Sequence, residues 1–346
     1  MLTAGDPASD PRARRAVAAA RSAGFEVVSI GASGGSARVR VRSRAARGLG
    51  RAWRLLSTTI VLRRAGREAG SFDVVHAHDF ATLPAGRFLA GRGVRLVYDA
   101  HEIYADQEPD APHIHRALVR LLEGPLARRA HAVVTVSEPI AEELGESLRL
   151  VAKPLVVLSC PPRTQVEPAP RGEGPLLALY QGAMGPGRRV EDLAVAAAHA
   201  DGVRLIARVP GAPDLDGVER AEPVEPDELV EAAAAYHVGL VINRPVTRND
   251  ELVLPNKLFE YLMAGLAVVV PRLPGLAPLV EGEGVGLTYE PGRPEALGAA
   301  LTALARDDAR LAEMRARARR LALERFNAES QVPVLLHVWG ASPGAA

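Results

Sequence analysis

The chain has 346 residues, 48% of them hydrophobic and 24% charged, enough for two domains with real cores. Its net charge of +1 gives no general attraction to nucleic acid, and its single cysteine, Cys160, excludes an internal disulfide and fits a reducing compartment. No apolar run reaches the length of a membrane span and no signal peptide opens the chain, so a soluble, cytoplasmic, two-domain protein is expected.

Met1 to Ala4 is too short for a full strand, yet Asp10 caps and Pro11 opens a helix that runs to Ala23. Val27 to Ile30 then reads as a strand. An α/β domain normally opens on a strand before such a helix. The first strand is therefore expected to be clipped, by a start codon placed too late, or short and edge-like. Residues Arg38 to Arg67 hold ten arginines and no acidic residue, with Leu49, Trp53, Leu55 and Leu56 interleaved. Three readings stay open for this basic amphipathic segment: peripheral docking on anionic lipid at the inner face of a membrane, binding of an anionic acceptor, or a solvated surface helix.

Strands follow at Val74-Val75, Val94 to Tyr98, His131 to Val136 and Leu155 to Leu158. Helical runs at Leu83 to Gly91, Ile114 to Ala130 and Pro139 to Leu144 alternate with them, which implies a parallel sheet. The segments DVVHAHD (Asp73 to Asp79) and YDAHEIY (Tyr98 to Tyr104) end strands with histidine and carboxylate. His76, His78 and His101 have no standard zinc spacing, so no metal is expected. Facing a cleft, such a histidine hydrogen-bonds a substrate hydroxyl or stabilises a developing charge; otherwise its own loop satisfies it. The proline-rich run from Pro161 to Pro170 is the linker candidate. The expected boundaries are a first domain over 1–162, a linker over 163–174, a second domain over 175–326, and a terminal segment over 327–346 that packs back and then frays.

A second alternating set has strands at Leu176 to Tyr180, Arg204 to Ala207, Val238 to Ile242 and Ala267 to Val270. Helices are expected at Val190 to His199, Pro226 to Ala235, Pro255 to Met263, Pro294 to Arg306 and Leu311 to Phe326. QGAMGPGRR (Gln181 to Arg189) follows a strand and precedes a helix. It is no Walker loop and no dinucleotide fingerprint; it is either a phosphate loop with Arg188 or Arg189 or an ordinary turn. Asp214 and Asp216 sit in a Gly/Pro-rich turn.

The run LPNKLFEYLMAGLAVVV (Leu254 to Val270) carries the most chemistry. Pro255 suits the first helical position, Leu258 and Leu262 form an apolar stripe, and Gly265 suits a left-handed cap. The helix start offers backbone N–H groups and partial positive charge to a phosphate. Lys257 adds a cation, and Glu260, at i+3 from it, can accept two hydrogen bonds from a ribose diol. Lys153 and Lys257 are the only lysines in an arginine-rich chain. A lysine kept here fits a point charge where a planar fork does not. Phosphate plus diol means a nucleotide.

In order, Gly5 to Arg12, DVVHAHD, YDAHE, VVTVSEPIAEEL (Val133 to Leu144), QGAMGPGRRVEDL, LPNKLFEYLMAGLAVV and ERFN (Glu324 to Asn327) make the chain resemble the retaining glycosyltransferases of family 4. The resemblance implies the α/β GT-B fold, two Rossmann-like domains with parallel sheets facing a central cleft. It implies that the second domain binds a UDP- or GDP-sugar, with no cofactor. Arg188 and Lys257 would hold the diphosphate and Glu260 the ribose, with Gly182, Asn256 and Leu258 beside them and Gly211 and Val224 near the base. Gly5, Asp6, Asp10, His78, His101 and Glu102 would face a hydroxyl acceptor, His101 with a catalytic role beside Arg188 and Lys257. Many members carry a second glutamate where this chain has Leu252, next to Glu251; Glu251 or the backbone of Leu254 to Asn256 would replace it. No carboxylate is a convincing nucleophile, so a covalent enzyme intermediate is not favoured. The resemblance implies front-face transfer, with Arg188, Lys257 and the helix start in place of a metal ion. The alternatives are a nucleotide-sugar epimerase of the same architecture and a degenerate, nucleotide-sugar-binding partner subunit.

Overall fold

The computed structural model describes residues 1–32, 44–107, 109–110, 112–185 and 187–341, with only the backbone for 44–52 and 115. Residues 33–43, the start of the arginine-rich segment among them, lie outside it. The chain forms two compact units, Met1–Val157 with Gln331–Ala346, and Leu158–Ser330.

The first unit holds strands β1 (Leu2–Thr3), β2 (Ile30–Gly31), β3 (Val74–His78), β4 (Arg95–Ala100), β5 (Ala132–Thr135) and β6 (Leu155–Val156), all parallel, in the order β2-β1-β3-β4-β5-β6. Strand β1 is short but not edge-like, because Leu2 pairs with Ile30 on one side and Ala77 on the other. The strand expected at Val27 to Ile30 ladders only at Ile30–Gly31, since a two-residue β1 offers two rungs. Val27 packs on the core instead. Helices run over Pro11–Ser22, Arg44–Glu68, Leu83–Leu89, His113–Ala127 and Glu138–Ser147. Asp10 caps the first by accepting from the amides of Arg12 at 2.9 Å and Ala13 at 3.1 Å. Val97, Val134 and Val157 meet Ala16 and Ala20 in the core, joined by Leu335, Val338 and Trp339 from a final helix, Ala328–Trp339. That helix escapes the sequence pattern because Pro333 interrupts it.

The second unit holds β7 (Leu176–Gln181), β8 (Val203–Arg208), β9 (Val218–Arg220), β10 (Val238–Leu240), β11 (Ala267–Pro271) and β12 (Gly286–Tyr289), again all parallel, in the order β12-β11-β10-β7-β8-β9. Strands β9 and β12 and the helices Arg248–Leu252 and Ala277–Glu283 are additions to the sequence reading. Strand β9 is three residues of mostly exposed sequence, too short for a periodic signal. The proline-rich run lies within this unit and is pinned to it. Arg319 donates to the carbonyl of Thr164 and Arg315 to that of Ala169, each at 2.7 Å, and the amide of Ala169 donates to the carbonyl of Ala234 at 2.8 Å. In both parallel sheets the carboxyl ends of the strands share one edge, where the loops with polar residues gather.

Candidate functional site

In the second unit, helix Asn256–Met263 is built from a buried stripe of Leu258, Phe259, Leu262 and Met263. Gly265 at φ +73 ends it. Pro255 is the N-cap and not the first helical residue: its φ of −74 suits a helix, but its ψ of 145 is extended. No side chain caps this end. Apart from the Leu258 amide, which donates to the Pro255 carbonyl at 3.0 Å, the N–H groups of its first turn are therefore available to an anion.

The Nζ of Lys257 is buried and has no hydrogen-bond partner among the described residues. It stands 4.1 Å from the centre of the Tyr180 ring. Burial, and then the charge of Arg188, push its pKa down to about 7 against the pull of Glu260. Gly182, at φ +147, leaves the space the ammonium fills: a Cβ there would collide with Nζ. Arg188 itself is exposed on the loop after β7, its backbone bridged to Gly185 and Asn243. Asn243 is buried, and its Oδ1 has no hydrogen-bond partner among the described residues.

Glu260 is oriented by a chain of side chains that the sequence reading missed. Gln181 Nε2 donates to Glu260 Oε2 at 2.9 Å, and Arg208 Nη1 donates to Gln181 Oε1 at 3.1 Å. The Tyr261 hydroxyl accepts from the Gln181 amide at 2.8 Å. The signal in the sequence was a polar residue closing an otherwise apolar strand, LLALYQ.

Other expected donor residues fall in different settings. Leu258 is fully buried, so only its backbone can reach a ligand. Asn256 is exposed at the helix start. Gly211, at φ +71, follows β8 with open space before it, and Val224 is half-buried beyond β9. Leu252 is buried. The Glu251 carboxylate pairs with Arg248 at 2.7 Å, and its carbonyl accepts from the amide of Gly275 at 2.9 Å.

In the first unit the polar cluster centres on Asp99, at the end of β4. Arg12 grips both its oxygens at 2.8 Å and also donates to the carbonyl of Val157 at 2.7 Å. Burial pushes the Asp99 carboxyl up, but Arg12 and His101 outweigh it and hold it well below the usual range. His76 and His78 stack with centroids 4.4 Å apart, and Trp339 Nε1 donates to His76 Nδ1 at 3.1 Å. Burial drives both imidazoles toward the neutral form.

His101 is the partly exposed member, its side chain 19% exposed. Its Nδ1 lies 3.1 Å from Asp79 Oδ1 and its Nε2 lies 3.3 Å from His78 Nδ1 and 3.7 Å from Asp99 Oδ2. Burial lowers its pKa, but Asp99 and then Asp79 more than offset this, so it is raised. Asp79, at φ +67, also accepts from the Tyr104 hydroxyl at 2.5 Å. This arrangement sets an imidazolium-prone ring between two carboxylates at the edge of the sheet.

The structure thus brings Asp10, His78 and His101 together. His78 is fully buried behind His101, which its Nδ1 meets at 3.3 Å. Gly5 and Asp6 lie on an exposed loop, where Asp6 accepts from the amide of Ala8 at 3.0 Å. Glu102 accepts from Gln107. Two sets, His76–His78–Asp99 and Asp10–Asp79–His101, have ligand-type atoms within 4.8 Å of one another. In the first, Arg12 occupies both oxygens of Asp99; in the second, Asp10 caps a helix and Asp79 serves Tyr104 and His101.

Residues 9–161 match the family model of a glycosyl transferase 4-like domain, and residues 188–336 that of a glycosyl transferase-like domain. No curated relative matches the chain in sequence. Among solved structures it resembles sucrose-phosphate synthase from Thermosynechococcus elongatus at 16% identity and TM-score 0.76, covering 98% of this chain and 97% of that one. It resembles Anabaena HepE in complex with UDP at 14% identity and TM-score 0.71, covering 98% of each chain. A glycosyltransferase from Rickettsia africae matches at 12% identity and TM-score 0.66, covering 98% of this chain and 96% of that one. The two six-stranded parallel sheets are those of the GT-B fold.

Proposed function

We propose, for a chain that is a group 1 glycosyltransferase of the GT-B fold, that it belongs to family 4 and moves a sugar from a UDP- or GDP-sugar to a hydroxyl acceptor with retention at the anomeric carbon. The observation that carries this reading is the buried Nζ of Lys257, without a hydrogen-bond partner among the described residues, at an uncapped helix start beside Arg188. A diphosphate offers that ammonium and the helix start an anionic partner. Glu260, held by Gln181, takes the ribose diol. A relative of the same fold solved with UDP supports a nucleotide donor.

In the transfer, the bond between the anomeric carbon and the diphosphate oxygen breaks. The acceptor oxygen bonds to that carbon on the same face, and its proton passes to the leaving diphosphate. Lys257, Arg188 and the helix start offset the charge that develops there, without a metal ion. Among the polar groups of the first unit, His101 is the partly exposed ring that suits a hydroxyl acceptor.

Melting of the purified protein with UDP, GDP, ADP and their sugar conjugates, without metal, tests the donor. Ligand binding to the folded state raises the midpoint by mass action. A rise with one nucleotide family that Lys257→Ala abolishes is expected; no rise with any nucleotide overturns the reading. The anomeric configuration of the product, read by NMR, tests retention. Consumption of donor without any acceptor would make the chain an epimerase, and tight binding without turnover would make it a partner subunit.

A further inference from the structure

Helix His113–Ala127 of the first unit turns Val119, Glu123 and Ala127 inward. Its opposite side is also apolar: Ile114, Leu118, Leu121 and Leu122 are exposed, Ile114 at 71% and Leu121 at 67%. A solvated helix carries polar residues on that stripe. Helix Leu83–Leu89 packs beside it and against helix Arg44–Glu68. The former exposes Phe88 at 60%; the latter exposes Leu56, Ile60 and Trp53, the last at 69%. Three neighbouring helices therefore present outward apolar side chains on one layer, more than scattered surface residues account for.

The charge around this patch is mainly positive. Residues 44–68, 83–92 and 113–129 hold thirteen arginines, against Glu68 and Glu123; Arg64 pairs with Glu68, and Asp106 pairs with Arg116 and Arg120. Glu123 is buried, so it does not show at the surface. Arg63 lies over the Phe88 ring at 4.8 Å, interleaving cation and apolar surface. The whole chain is nearly neutral at +1, so this is a local accumulation. An arginine-rich face repels its own copy, which argues against a homodimer here. No helix among the described residues is long and apolar enough to cross a membrane.

We propose that this three-helix face docks on the surface of a bilayer containing anionic lipid. Trp53, Phe88, Ile114, Leu118 and Leu121 enter the headgroup region, and the arginines pair with lipid phosphates. Apolar burial supplies the adhesion, and the arginines select anionic surfaces. The inference stands apart from the transfer reading, since neither Lys257 nor His101 enters it.

The test is sedimentation of the full chain with vesicles of phosphatidylcholine alone and of phosphatidylcholine with phosphatidylglycerol. The protein should pellet with the anionic vesicles, less so as salt rises. Of the two tryptophans, Trp339 is buried, so a blue shift of emission on binding reports Trp53 and is lost in Trp53→Phe. The double variant Leu118→Ser with Leu121→Ser should lower the partition coefficient roughly tenfold or more while circular dichroism and melting stay unchanged. Three results overturn the proposal. One is absence of pelleting, or equal pelleting with both vesicles. Another is binding unchanged by the double variant, with polyglutamate bound as well as vesicles. The third is a lipid-free dimer, by sedimentation equilibrium, that the double variant dissolves; it assigns the face to a second copy.

Discussion

Gln181 donates its side-chain amide to Glu260 at 2.9 Å and so fixes where that carboxylate points. Arg208 in turn holds the Gln181 oxygen at 3.1 Å. If Glu260 serves a ribose, Gln181→Leu should weaken UDP binding by about tenfold, the worth of one well-placed hydrogen bond to a charged group. Pyrophosphate, which has no ribose, should bind as before. Calorimetry with both ligands decides; an equal loss for the two would detach Glu260 from the sugar of the nucleotide.

Lys257 has a folded pKa lowered to about 7, chiefly by burial, against 10.5 for the free side chain. Below pH 7 both folded and unfolded chains carry the charge, and the folded state bears its full cost. Between pH 7 and 10.5 the unfolded chain binds more protons, so stability rises with pH. Lys257→Met should therefore be more stable than the natural protein near pH 6, with the gap closing toward pH 10, while turnover collapses. Urea unfolding across that range checks it, and a gap that ignores pH would refute the buried-ammonium reading.

Asp99 is held low by Arg12 and itself raises His101. Asp99→Asn should leave the Arg12 guanidinium buried without its carboxylate and cost about 3–5 kcal/mol of stability. It should also lower the pKa of His101, followed through the imidazole protons by NMR. Loss of stability with an unmoved His101 would mean that Asp79 alone sets the ring.

Glu123 is buried under the exposed stripe of its helix and accepts from the Tyr98 hydroxyl at 2.7 Å. Burial raises its carboxyl from 4.5 to about 7. Here the folded chain keeps a proton that the unfolded chain has lost, so stability falls as pH rises from 4.5 to 7 and levels above that. Glu123→Gln should remove that slope, a difference on the order of 3 kcal/mol over the interval. Melting of both proteins between pH 4.5 and 7.5 measures it; parallel curves would contradict the raised carboxyl.

Local chemistry made part of this molecule readable in advance. The Asp10–Pro11 helix start, the apolar parallel strands and the stripe of Leu258 and Leu262 follow from periods and caps that act within a few residues. So does the placing of Lys257 one turn before Glu260. The short range of these signals also explains the misreadings: Pro333 hid a helix, and Pro255 took the cap because its ψ, which the ring does not constrain, is extended.

What the sequence by itself determined was the alternation of strand and helix, the chemical groups on offer and the spacing of Lys257 and Glu260. What only the tertiary structure decided was which groups meet. Arg12 grips Asp99 across 87 residues and Trp339 donates to His76 across 263, and Arg208 reaches Gln181 because β7 and β8 lie in register. It also decided that His78 is sealed from solvent and that the Lys257 ammonium, tucked under Gly182, has no hydrogen-bond partner among the described residues. The reason is physical: periodicity and capping act along a few residues of chain. Burial and the meeting of distant charges depend on how parallel strands pair and what packs over them, which no local pattern encodes.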